Sequence, residues 1–181
     1  EAAGVEANIM SYHSITNPES QWAVAFDGTN DYVDAGTAIG TALGDNYAGD
    51  LTVSLWFKAD VTSGDDGLFE IGGGFAGAHG EINVSVNGDN LRFKLNGGGW
   101  TRSVAFTDTG WNHVAVVYAT GSEADSKMYL NGIEVGSTSG TFPIAASMDF
   151  AGVNTRIGAY NSTSYTWNGK IDEVSIWTQA L

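Results

Sequence analysis

The chain has 181 residues, a size at which one domain can bury most of the surface its unfolded form exposes, whereas two domains would each be cramped. Seven Lys and Arg stand against 21 Asp and Glu, a net charge of −14 that repels phosphate backbones and anionic lipid surfaces and argues against nucleic acid as a partner. There is no Cys, which removes disulfides, thiolate metal sites and a cysteine nucleophile. No apolar run approaches the roughly 18 residues of a membrane span, so no membrane insertion is expected.

Residues 1–21 are small, acidic or polar and form no obvious core strand; they read as a leader, linker or stalk remnant, with one domain over 22–181. The first strand ends in F26-D27-G28-T29-N30-D31-Y32-V33-D34, three aspartates and an asparagine in one turn. L51 to F57 alternates strictly, Leu51, Val53, Leu55 and Phe57 on one face and Thr52, Ser54 and Trp56 on the other, the pattern of a half-buried strand. I82 to V86, L91 to L95 and W100 to F106 follow as a meander, broken at N87-G88-D89-N90 and N96-G97-G98-G99, where Asn and Gly tolerate positive φ. W111 to Y118 is apolar on both parities and predicts a strand covered on both faces, holding His113 as a structural histidine. M128 to V135 is a hairpin on Asn131-Gly132; R156 to Y160 and I171 to W177 supply two more strands. Short, evenly spaced strands without helical windows argue for an all-β, antiparallel sandwich or barrel.

Two acids then call for a cation. By parity Asp172 falls in the row of Val174 and Ile176 and Asp27 in the row of Ala23 and Ala25, so both are expected to point inward, where a bare carboxylate is expensive. If the first and last strands are neighbours, calcium suits the oxygen donors on offer. The competing reading is that Asp27 and Asp31 make Asx-turns and that Asp172 pairs with Lys170 or Arg156.

Five blocks in order, A-V-A-F-D-G-T-N-D-Y-V-D, L-T-V-S-L-W-F-K-A-D, W-N-H-V-A-V-V-Y, M-Y-L-N-G-I-E-V-G and G-K-I-D-E-V-S-I-W, resemble the concanavalin A-like, laminin-G-like or pentraxin-like jelly roll of bacterial surface and secreted proteins. The resemblance spans about Val24 to Leu181. It implies an antiparallel β-sandwich jelly roll, a calcium ion between the terminal strands, and binding of glycans or proteins. Carried onto this sequence, the calcium ligands are expected at Asp27, Asn30, Asp31 and Asp172.

The same fold houses glycoside hydrolases, whose chemistry needs two carboxyls flanking the scissile bond. Laminarinase-like enzymes of the fold carry a Glu, Asp, Glu series at alternating positions of one strand. E81-I82-N83-V84-S85 begins that series and then offers an amide and a hydroxyl, and Glu70 stands alone in its segment, so an enzyme is not expected. Sugar sites pair aromatic faces with hydrogen-bonding groups. Trp56, Trp111 and Trp177 read as core, which leaves Trp100, Tyr160, Asn161, Tyr165 and Trp167 as the expected ligand contacts; lidding the sandwich is the competing role for the last four. N83-V84-S85 and N161-S162-T163 match the glycosylation sequon. The expectation is therefore a secreted or cell-surface recognition module for a glycan or a surface protein, set in a larger adhesin or trimeric fibre. A glycan-hydrolase domain and a structural spacer are the alternatives.

Overall fold

The structure, a computed structural model, describes residues 22–72, 81–95, 99–142, 148–160 and 165–181. The alternating patterns become two antiparallel sheets. One has six strands in the order β1 (Val24–Asp27), β15 (Asn168–Trp177), β3 (Leu51–Ala59), β8 (Trp111–Tyr118), β9 (Lys127–Leu130) and β10 (Ile133–Val135). The other has seven, β11 (Ser137–Gly140), β7 (Trp100–Ala105), β6 (Asn90–Leu95), β5 (Ile82–Asn87), β4 (Asp65–Gly72), β12 (Asn154–Ile157) and β2 (Val33–Asp34). A two-stranded ribbon, β13 (Ala159–Tyr160) with β14 (Tyr165–Thr166), and one short helix, α1 (Ala38–Leu43), complete the described elements. No described helix is long and apolar enough to cross a membrane.

Inward rows from both sheets meet in one core. Leu51, Val53, Leu55 and Phe57 of β3 face Phe69 and Ile71 of β4, Ile82, Val84 and Val86 of β5, and Leu91, Phe93 and Leu95 of β6, all of them fully or nearly buried. This is the jelly-roll sandwich that the alternation called for. Both short hairpins use the expected positive dihedrals: Gly88 and Asp89 at φ 53° and 60°, Asn131 and Gly132 at 52° and 80°.

Four elements depart from the sequence pattern. Asp65–Gly72 is a strand that the sequence pattern does not pick out, because a bulge between Gly67 and Phe69 interrupts its alternation. β8 is fully covered on one side and partly on the other: Trp111, His113 and Ala115 are half-buried on the outer face of the six-stranded sheet, where His113 packs against Trp56 at 5.2 Å between ring centroids. Trp56 and Trp177 share that half-buried outer placement rather than the core. The segment read as one strand from Arg156 to Tyr160 divides at Gly158, φ 80°, into β12 and β13. Burial lowers the His113 pKa from its ordinary value.

Candidate functional site

The first and last strands are neighbours, as expected: Val24 pairs with Ile171 and Asp27 with Asn168. Their acids do not converge. Phe26, not Asp27, takes the buried position in β1, so Asp27 is exposed. In β15 a bulge between Asp172 and Ser175, with Glu173 at φ 49°, reverses the parity. Ile171 points inward before the bulge and Val174 and Ile176 pack on the core after it, leaving Asp172 on the outer side opposite Trp56. Asp172 also lies four positions along β15 from the partner of Asp27, roughly 14 Å at about 3.4 Å per residue.

The carboxylates serve the backbone instead. Asp27 Oδ1 accepts from Thr29 N at 2.8 Å, Asp31 Oδ2 from Asp27 N at 3.2 Å, and Asp172 Oδ1 from Glu173 N at 2.9 Å. Asn30 is exposed in the same turn. Arg156 pairs with Glu70, not Asp172. Among the described residues no three His, Cys, Asp or Glu side chains gather as a metal cluster. One ion shared by Asp27, Asn30, Asp31 and Asp172 therefore does not fit the geometry, and no chemistry is routed through it.

The aromatic expectations shift as well. Trp100 is fully buried, edge-on to Phe93 and Phe142, and its indole N–H donates to Glu123 Oε1 at 2.9 Å. It faces the core because it pairs with the inward Leu95. Trp167 is equally buried, against Phe57. Neither ring offers a surface to a ligand. Asn161 lies outside the described residues. Tyr160 is buried and stacks on the half-buried Tyr165, ring centroids 4.6 Å apart.

Tyr160 leads to the site that the sequence did not reveal. Side chains of β4, β5 and β6 that point away from the core are polar, yet many are buried. Strand pairing sets them in a row: Asp34, Arg156, Glu70, Asn83, Lys94, Thr101 and Ser139 are successive cross-strand partners. A second row runs Gly67, Ser85, Arg92, Ser103 and Ser137. Glu70, Asn83 and Ser85 have no exposed surface, and Lys94 is 4% exposed.

Arg156 Nη1 holds Glu70 Oε2 at 2.9 Å. Arg92 donates to Asn87 Oδ1. Lys94 Nζ sits 4.3 Å from the Tyr160 ring centroid, a cation–π contact. Burial holds the Lys94 ammonium below the usual lysine value, with Glu81, Asp65 and Glu70 pulling the other way. Burial, then the neighbouring Asp65, pushes the Tyr160 phenol above its ordinary value. Gly67 explains why Tyr160 can lie here: a Cβ would stand 2.6 Å from both Ala159 C and Tyr160 N, so only glycine lets β13 cross β4.

Within this set, both amide atoms of Asn83, the Ser85 hydroxyl and Arg156 Nε are buried without a hydrogen-bond partner among the described residues. Buried polar groups are normally paired, because an orphaned one costs about 1–3 kcal/mol. The same burial excludes Asn83 as a glycosylated side chain. The available hint was E81-x-N83-x-S85, alternating polar residues between Ile82, Val84 and Val86; the pairing with Glu70 and Arg156 required the fold.

Several solved structures share the architecture. The CBM40 of the Ruminococcus gnavus IT-sialidase, bound to alpha2,3 sialyllactose, matches with a TM-score of 0.60 and 14% identity, covering 88% of this chain and 93% of that one. Domains LG4-5 of the mouse laminin alpha1 chain match at 0.59 and 16% identity, covering 86% and 42%. Domain 4 of AbnA, a GH43 extracellular arabinanase from Geobacillus stearothermophilus in complex with arabinotriose, matches at 0.57 and 18% identity, covering 87% and 82%. At these identities the likeness shows the fold. No curated protein sequence matches the chain. The sequence model of the laminin G family described as "Concanavalin A-like lectin/glucanases superfamily" matches residues 27–181. With that match over most of its length and the two-sheet sandwich beneath it, the chain belongs to this laminin-G-like family of the concanavalin A-like superfamily.

Proposed function

We propose that this domain is a non-catalytic recognition module of a secreted or cell-surface protein, and that it binds carbohydrate on the polar face of the seven-stranded sheet. The observation that carries the reading is the polar composition of the accessible part of that face, where half-buried Arg92, Thr101 and Ser103 lead to exposed Ser137 and Ser139. Sugar hydroxyls each donate and accept, which suits a guanidinium and hydroxyls side by side. The Tyr160 and Tyr165 rings and the Glu70 to Arg156 pair border the same face, the mixture of aromatic and fixed polar groups that suits a small-ligand site.

Binding rather than hydrolysis follows from the carboxylates. Glu70 lies in β4 and Glu81 just before β5, but they are 0% and 2% exposed, and Glu70 is committed to Arg156. Neither is placed to flank a glycosidic bond with room for water. Two fold relatives are described with sugars bound, sialyllactose in one and arabinotriose in the other, which supports testing glycans first.

A glycan array probed with the domain and with Arg92→Ala tests the proposal. Binding is expected for the native chain and lost in the variant, with cooperative unfolding retained in both. An array without any signal would reject carbohydrate recognition and turn attention to a protein partner.

A further inference from the structure

Resting on the reading of the polar face as a glycan site, we propose that it selects a glycan carrying a single sugar acid, whose carboxylate pairs with Arg92. Densely charged polyanions are not its ligands. Three observations point this way.

The first is the partnering of the arginines. The chain has three, Arg92, Arg102 and Arg156, all on strands of the seven-stranded sheet. Arg156 pairs with Glu70 at 2.9 Å and Arg102 with Glu134 at 3.5 Å. Arg92 differs from both. Its Nη2 donates to the neutral side-chain oxygen of Asn87, and among the described residues no carboxylate pairs with it. A guanidinium presents its donors as a planar fork matched to the two oxygens of a carboxylate. In a chain with 21 acids, a half-buried arginine partnered by an amide is a cation kept available for an acid from outside.

The second is what stands beside it. Arg92 pairs across to half-buried Ser103, and that row continues to exposed Ser137, with Thr101 and Ser139 in the next row. Neither β7 nor β11 carries a carboxylate, so nothing on those strands opposes an incoming anion. The acids of the face, Asp65, Glu70 and Glu81, belong to β4 and the start of β5, where Arg156 holds Glu70 and Lys94 lies within the influence of all three. The third is the charge of the whole chain. At −14 it repels a polyanion at long range. At physiological salt, however, the Debye length is about 8 Å, so one carboxylate in contact with Arg92 is screened from the distant acids. Hydroxyls of the same sugar then meet Thr101, Ser103 and Ser137.

Isothermal titration tests this with oligosaccharides that each carry one glucuronic, galacturonic or sialic acid, every one paired with its own methyl ester. The ester keeps the oxygens and removes the charge. For the sugar that binds, the acid should bind about 10-fold more tightly than its ester, the margin of a charge-assisted over a neutral hydrogen bond. Polygalacturonate should bind more weakly, per sugar acid, than the single-acid form. Arg92→Gln, whose amide still donates, should bind acid and ester equally, with a cooperative urea transition confirming its fold. Equal affinity of the native chain for acid and ester, tighter binding of polygalacturonate, or array signals confined to neutral glycans would overturn selection of a single sugar acid while leaving glycan binding intact. A preference for the acid that persists in Arg92→Gln would overturn the assignment to Arg92. Absence of binding by every acid and every ester, with the glycan array equally silent, would instead remove the underlying glycan reading.

Discussion

Asn83 weighs on stability. Its amide atoms have no hydrogen-bond partner among the described residues, which penalises the folded state, and a compact apolar side chain would not carry that cost. Asn83→Val is therefore expected to stabilise the domain by about 1 kcal/mol in urea unfolding. Loss of stability would mean the amide is a structural group after all. His113 supplies a pH test. Its folded pKa lies below the ordinary 6.5, so the unfolded chain binds the proton more readily and stability is lost as pH falls from 6.5 toward the depressed value. Melting temperatures measured through that window should slope upward with pH, and His113→Gln should flatten the slope. Residues of this kind are only partly legible in a sequence. That Asp27 and Asp31 make turns could be read from D-G-T-N-D; that Asn83 is orphaned depends on which strands lie beside it.

At the scale of elements, glycine and bulges decide what packs where. A methyl group on Gly67 would collide with backbone atoms of Ala159 and Tyr160, which cannot move independently of the β13–β14 ribbon. Gly67→Ala should cost about 1–3 kcal/mol and detach Tyr160 from Lys94. Tyrosine fluorescence and glycan titration would register the change together, and an unaltered variant would show that the ribbon floats free of β4. Strict alternation made β3, β5, β6 and both short hairpins readable from the chain. Bulges hid the rest. The extra residue in β4 concealed a strand, and the bulge in β15 turned Asp172 outward, undoing the inward row on which the shared calcium ion depended. Trp100 and Trp167 misled for a related reason: glycine and polar neighbours suggest exposure, but pairing with Leu95 and packing on Phe57 direct both rings inward.

For the whole molecule, a charge of −14 on 181 residues means self-repulsion opposes compaction. Raising sodium chloride from about 0.02 to 0.2 M should lift the melting temperature, since the Debye length shrinks from about 20 Å to about 7 Å. Calcium, retained as a proposal for the Asp27 to Asp31 turn alone, has to exceed that general effect. At matched ionic strength, scans with calcium and with chelator should separate if the turn binds an ion only in the folded state, and Asp27→Asn should merge them. Curves that superimpose at matched ionic strength would remove calcium from the account.

The antiparallel pairing of β1 with β15 also governs how the sandwich answers to tension. β1 is a four-residue strand at the margin of its sheet, held laterally by β15 alone, with Val24 opposite Ile171 and Asp27 opposite Asn168. A pull on the backbone ahead of Val24 concentrates on that first rung, then the next, so the strand peels as a zipper opens and no group of rungs resists together. β15, gripped by β3 along its length, would stay behind. Traction from that side would loosen one margin of the six-stranded sheet and leave the buried polar rows, on the opposite sheet, undisturbed.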